Sequence, residues 1–360
     1  MAPVIVDLDY NPKDDIVLLL RLKAKKRTNV IESTAEVLTN AINVLCELGY
    51  VKIFEVHGYS VKVAVESVII ENSNIAKLIS LLNRIVTTIV DSVTRVRIED
   101  VYIPTSKLEH FKGPSYGISG IREILNTFDS PLIALKAYTP QIDLNLVDIL
   151  IEDPFISPLL IRSIYENFKK IPSKPLCISG LNSSWNKMQQ SIENLHELGI
   201  KGIAVDITSI GWGILNELRE LTEKYGMLLY AYGTHWMKNG ISKKVYTYLL
   251  RLIGFDLIDI GNLRTLRVSE LSRLKYVADI CRRTELREKP SSRMLLKEFP
   301  NLRPTMPMVN CKLDLELISK ILRILGHDIV LILDEASTLS SEINEKIKTI
   351  RSVVNSHSHR

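Results

Sequence analysis

The chain has 360 residues, more than one average domain and about the length of a barrel with an appendage, so two domains are expected. Hydrophobic residues at 46% and charged residues at 24% supply ample core material and exclude a disordered chain. With 46 basic against 41 acidic residues, the net charge of +5 is too small to argue for a polyanionic macromolecule, and nucleic-acid binding is not expected.

No apolar run approaches the roughly 20 residues that span a bilayer, and the first fifteen residues are acidic where a signal peptide would be basic. The expected location is the cytoplasm, with no membrane partner. Cys46, Cys177, Cys281 and Cys311 lie far apart without a CxxC pair, so they read as buried thiols. Frequent Ile, Leu, Lys and Glu with only three Gln suggests a thermophilic source.

In chain order, Asp14 to Ala24 contains IVLLLRLKA, too apolar for a loop and suited to a strand. The basic run Arg21, Lys23, Lys25, Lys26 and Arg27 reads as a solvated strand end, with a phosphate grip as the alternative. Asn29 to Leu48 has helical spacing and stops at Gly49. YVKIFEV and YSVKVAV alternate about His57 and Gly58 as a hairpin. A helix over Asn74 to Ile89 and a strand over Val93 to Ile103 complete strand, helix, strand, strand, helix, strand, the ferredoxin-like order.

From Pro131 strands alternate with helices, which requires parallel strands joined by crossovers. Strands are expected at 131–138, 146–153, 175–180, 202–207, 227–232, 255–260, 303–309 and 328–333, with helices from Pro154 to Lys170 and beginning near Ser184, Gly211 and Ser242. Eight such strands predict a TIM barrel. Only Thr139 to Asn145 separates the first two, too little for a crossover helix. The first barrel helix is therefore expected to be missing, leaving apolar wall that something else must cover. The expected division is an α+β domain at 1–108, a barrel at 109–354 and a flexible tail at 355–360.

The join reads FKGPSYGISGIR from Phe111 to Arg122, with NIAKLISLLNRIV and VTRVRIEDVYIPTSKLEHF before it. Gly113, Pro114, Gly117 and Gly120 at this spacing, in this context, resemble the segment by which the ribulose bisphosphate carboxylase (RuBisCO) large chain enters its barrel. The resemblance extends from about Asp14 to Val354 and is strongest at 96–125 and 195–260.

In that family a carbamate formed on a lysine of the second strand joins an aspartate and a glutamate in holding Mg2+. The matching positions here are Ile151, Glu152, Asp153 and Pro154, so only Asp153 keeps a ligand position and metal binding is not expected. The K-P-K of the first strand becomes Tyr138, Thr139 and Pro140, with Lys136 two residues earlier. The fifth strand's H-A-H-R becomes Tyr230, Ala231, Tyr232 and Gly233, with His235 displaced. Leu266, between Arg264 and Arg267, takes the place of the mobile-loop lysine. Pro307, Met308 and Val309, then Asp334, Glu335 and Ala336, replace the phosphate-cradling residues.

These departures favour a degenerate RuBisCO-like protein that does not carboxylate and is retained for binding or assembly. The alternative is an isomerase- or enolase-type enzyme on a small carbonyl compound or sugar phosphate, with Asp153, Asp206, Tyr232, His235, Asn262 and Glu335 as candidates at the barrel mouth. Strand-end capping is the simpler role for Asp153 and Asp206. Carboxylation through substitute residues is the third reading. No cofactor is expected, with Mg2+ only under the enzyme reading; the small-molecule ligand is left open. The resemblance also implies an oligomer, either a homodimer or a hetero-oligomer with a related chain.

Overall fold

Ile16–Ala24 is apolar at nearly every position, and such a run is stable as a strand only when both faces are covered. In the computed structural model it is β2, with Ile16 to Leu20 buried. The structure describes residues 3–25, 28–42, 49–70, 73–136, 143–152, 176–181, 183–233, 240–263, 268–289, 293–333 and 340–357. Around β2 lie β1 (Val4–Val6), α1 (Val30–Ile42), β3 (Val51–His57), β4 (Ser60–Val65), α2 (Ala76–Thr87) and β5 (Val93–Tyr102). The sheet order β1-β3-β4-β2-β5 is the ferredoxin-like one with β1 added parallel to β3. β1 was not foreseen, because three residues with Ile5 and Val6 exposed carry no alternation.

After the short α3 (Thr105–Leu108) and then α4 (Gly117–Leu125) come eight parallel strands. They and their helices are β6 (Leu132–Lys136), β7 (Ile149–Glu152), β8 (Leu176–Leu181), α5 (Trp185–Glu197), β9 (Gly202–Asp206), α6 (Leu215–Lys224), β10 (Leu228–Tyr232), α7 (Lys243–Ile253), β11 (Leu257–Leu263), α8 (Val268–Arg282), the small ribbon β12 (Glu285–Leu286) and β13 (Lys297–Glu298), β14 (Met306–Cys311), α9 (Leu315–Leu325), β15 (Val330–Leu333) and α10 (Ser340–His357). β6 to β11 with β14 and β15 close into a TIM barrel. The eight expected strands are all present, shifted by a few residues at their ends. The helix expected over Pro154 to Lys170 lies outside the described residues.

Between β6 and β7 the described residues hold a single 3-10 turn, Leu144–Leu146, and no α-helix. The apolar wall expected there is covered from within this chain. α10 lies over it, burying Ile347, Ile350 and Val354 in the same core as Ile133, Leu135 and Val147. Arg351 donates to Asp148 Oδ2 at 2.9 Å and to the Leu146 carbonyl at 2.8 Å, and the Asp143 amide donates to Asn344 Oδ1 at 3.0 Å. α10 continues to His357, so the tail expected to begin at 355 is helical for its first turn.

The join is held by side chains from the barrel. Asp256, fully buried just before β11, accepts from the amides of Tyr116 (2.7 Å) and Gly117 (2.9 Å) through one oxygen and of Leu229 (3.1 Å) through the other. Arg219 on α6 donates to the Gly113 carbonyl at 3.0 and 3.1 Å. Gly117 has φ +61°, and a Cβ there would sit 2.5 Å from the Pro304 carbonyl, so both conformation and space require glycine. α4 then seals the N-terminal end of the barrel, with Ile121 packed among Leu132, Leu257 and Met306.

The N-terminal sheet is fastened to the barrel by a fully buried ion pair. Lys297 Nζ lies 2.8 Å from Asp100 Oδ1 and donates to the Val101 carbonyl at 2.6 Å, while Asp100 Oδ2 accepts from the Leu295 amide at 2.9 Å. Burial lowers the Lys297 pKa, and Asp100 opposes that shift. Removing one member strands the other in a dry site, at a cost of about 3–5 kcal/mol. Lys297→Met is therefore expected to lower the unfolding free energy obtained from denaturant melts by an amount in that range; a loss of less than about 1 kcal/mol by the same fit would show that the pair does not hold the domains.

Candidate functional site at the barrel mouth

Side chains alternate along a strand, so every second residue of each barrel strand faces inward. Ala134, Ile151, Ile178, Ala204, Tyr230 and Met308 belong to this inward set and form one buried apolar cluster. The same alternation, carried to the C-terminal strand ends where sites of this fold form, gives Lys136, Gly180, Asp206, Tyr232, Asp259 and Asn310.

Of the six candidate residues, Asp153, His235 and Glu335 lie outside the described residues. Asp206 and Tyr232 are brought together as register partners on β9 and β10. Asn262 is on β11, in register with Asn310 of β14. Asp206 Oδ1 accepts from the Thr208 amide at 2.8 Å and the Thr208 hydroxyl at 2.7 Å, closing the turn after β9. Gly233, at φ +86°, packs so close that a Cβ would run into that oxygen. The Asp206 carboxylate is thus a turn former, the capping role weighed from the sequence. The Tyr232 ring lies 6.0 Å from that of Tyr230, tilted by 38°.

A carboxylate that the sequence reading passed over is the better placed one. Asp259 is 1% exposed; its Oδ1 accepts from the Gly261 amide at 2.9 Å and its Oδ2 from Asn310 Nδ2 at 3.0 Å. Burial, and then the Asp259 charge, raise the Tyr230 phenol pKa well above its ordinary value. Lys243, at the start of α7, has its pKa lowered by burial and partly restored by Asp259. The signal was available: FDLIDIG puts a charge in the middle of an apolar strand. Carboxylates, phenols and an amide can hydrogen-bond a small polar ligand. No group of three or more His, Cys, Asp or Glu among the described residues could hold a metal ion.

Glu152, next to Ile151, ends β7 with its side chain on the outer parity and 1% exposed. Its two oxygens are buried without a well-formed hydrogen bond among the described residues, and the Ser179 hydroxyl across the register lends weak support. Burial pushes its pKa up to about 7 from an ordinary 4.5. Cys177, Cys281 and Cys311 are buried as expected, and Cys46 lies outside the described residues. No described helix is long and apolar enough to cross a membrane.

A closed parallel barrel entered from a ferredoxin-like domain, with polar groups gathered at its C-terminal mouth, defines the class of protein by fold. A family model described as the ribulose bisphosphate carboxylase large chain, catalytic domain, matches residues 180–334. The ribulose bisphosphate carboxylase of Methanosarcina mazei is 24% identical over 374 aligned residues, covering 91% of this chain and 86% of that protein. That of Thermococcus onnurineus is 30% identical over 196 residues, covering 46% and 44%. Among solved structures, the dimeric archaeal Rubisco of Hyperthermus butylicus superposes with a TM-score of 0.83 at 21% identity, over 98% of this chain and 92% of that one. The octameric enzyme of Pyrococcus horikoshii gives 0.80 at 20%, over 98% and 90%. The chain is thus similar to the RuBisCO large chain in sequence and shares the fold of archaeal Rubisco over nearly its whole length.

A carboxyl whose pKa is higher folded than unfolded binds its proton more tightly in the native state. The stability it lends is complete below about pH 4.5 and is lost as pH rises toward 7. Glu152→Gln is expected to flatten the wild-type decline in stability across that window, read from urea melts at intervals of pH. Parallel curves for the two proteins would mean that Glu152 does not titrate as described.

Proposed function

We propose that this chain is a RuBisCO-superfamily protein that does not carboxylate and is retained for binding or assembly. One observation carries the reading: Ile151, at the position of the family's carbamate lysine, is 5% exposed and packed into the apolar barrel interior. An aliphatic side chain there can neither take up carbon dioxide nor ligate a cation, so the residues present do not fit the Mg2+ site of the family. Four further replacements point the same way. Tyr230 and Tyr232 fill the mouth where the family's histidines stand, and Gly233 removes the arginine. Met308 is buried where a phosphate would need room.

The expected outcome is that purified protein given ribulose bisphosphate, bicarbonate and Mg2+ fixes no labelled carbon dioxide into acid-stable product. Mg2+ with bicarbonate is expected to leave the melting temperature unchanged, whereas a ligand at 100 times its dissociation constant adds about 2.7 kcal/mol. Acid-stable label above the no-protein control would overturn the reading. The second reading, an isomerase- or enolase-type enzyme, is favoured by the buried set Asp259, Asn310 and Tyr230 at the mouth.

Assembly is part of the same proposal. Structural neighbours of this chain are described as dimeric and octameric. The segments 74–125, which pair the chains in the family, are described here as well-formed α2, β5, α3 and α4. Because α10 already covers the gap in the helix ring, the argument for a partner rests on that pairing surface alone. Sedimentation velocity at micromolar concentration is expected to give a dimer or larger species; a monomer would refute assembly. Co-purification from the native source separates a homodimer from a hetero-oligomer with a related chain.

A further inference from the structure

Two lysines open α7, and their surroundings differ. Lys244 is anchored: it donates to the Arg293 carbonyl at 2.7 Å and its ammonium lies 5.5 Å from the centre of the Tyr276 ring. Lys243 makes no hydrogen bond and no ion pair among the described residues. Elsewhere in this chain, lysines withdrawn from solvent pair with carboxylates, Lys297 with Asp100 and Lys62 with Glu55 and Glu288. The Lys243 amine instead lies over the β11 backbone, where a Cβ on Gly261 would come within 3.1 Å of Nζ.

Lys243 lines a crevice of about 910 Å³, and so does Asn262 near the end of β11, which makes the crevice a side arm of the barrel mouth. That volume falls in the range of small-molecule sites. Two features favour the neutral amine there. Burial disfavours the ammonium, and Lys243 is the first residue of α7, where the helix dipole opposes a cation. Asp259 is the carboxylate whose charge acts in the other direction. Its Oδ1 accepts from the amide of Gly261, the residue over which the amine lies, so a proton acceptor stands on the same stretch of backbone. Arg21, Arg273 and Lys275 line the crevice without an ion-pair partner among the described residues, which favours an entering group of negative charge. Tyr276, Leu274 and Met294 add an apolar wall.

We infer that Lys243 is a reacting amine that forms an imine with a small 2-oxo acid. The nitrogen lone pair forms the N–C bond at the keto carbon, and the carbonyl oxygen takes the proton that the nitrogen releases. The C–O bond of this carbinolamine then breaks, the hydroxyl leaves as water with the second proton from nitrogen, and C=N forms. Nothing is oxidised or reduced, and Asp259 can carry both protons. The inference rests on the second reading above, an enzyme acting on a small carbonyl compound, for its class of substrate. Imine formation is read by mass without turnover, so its failure leaves isomerase or enolase chemistry at Asp259 and Asn310 standing.

The test is to incubate the full chain with pyruvate, or with hydroxyacetone as its neutral counterpart, in the presence of cyanoborohydride. This reagent reduces an imine to a stable secondary amine, which peptide mass mapping locates. Pyruvate is expected to label Lys243 saturably and on the order of tenfold faster than the exposed Lys201. Hydroxyacetone is expected to label it more slowly. Lys243→Arg keeps the charge and is expected to keep the melting temperature while losing the adduct. Label spread over the surface lysines, or hydroxyacetone reacting at Lys243 as fast as pyruvate, overturns the inference. Should Lys243→Arg fail to fold, the wild-type map alone decides.

Discussion

A single carboxylate, Asp256, sets the geometry on which the rest of the molecule depends. Its three amide donors come from two places far apart in sequence, the start of α4 and the second residue of β10. Burial raises its pKa and the three amides lower it, so the charged form is held by hydrogen bonds and not by a counter-ion in contact. This fixes α4 under the barrel, and α4 in turn fixes the direction from which the N-terminal domain arrives. An amide side chain in its place would present one oxygen and two donors to three donors, so the arrangement requires a carboxylate.

The second attachment, Lys297 with Asp100, has a consequence for the surface above it. Asp100 is turned inward to meet Lys297, and its neighbour Glu99 is taken by Arg97 and Arg293. The acidic residues at this end of β5 are thus spent on holding the domains together. Arg21, Arg273 and Lys275, which face the same junction, have no ion-pair partner among the described residues, so a protein of modest net charge carries a locally basic surface there. Net charge reports the sum over the surface and says little about one concavity.

Much of this architecture was legible because strand and helix periodicities differ and because parallel strands are continuously apolar. LIALK, GIAVD and LLYAY each announce a buried strand. Ferredoxin-like order followed directly from spacing. The missing first helix was visible as a count of residues, yet its cover was not, because Arg351 meets Asp148 across 203 positions. No local pattern encodes that contact. The site was less legible than the fold. Asp206 and Asp259 both stand near strand ends, and the sequence does not say that one closes a turn with Thr208 while the other is locked by Asn310 from another strand. β1 was missed because its pairing with β3 is made by backbone atoms whatever the side chains.

The distribution of likeness to the family has a physical reason. Gly117 is required because a side chain would strike the Pro304 carbonyl, and Arg219 and Asp256 hold the join. These residues are required by the fold itself, with or without catalysis. At the C-terminal strand ends the backbone pairs close the barrel whatever the side chains, so the side chains there are freer to vary. Ile151, Tyr230 and Met308 fill the barrel interior and are stabilised there by burial, where an unpaired charge would be costly. The inward face of this barrel is therefore apolar up to the strand-end layer that carries Asp206, Tyr232, Asp259 and Asn310.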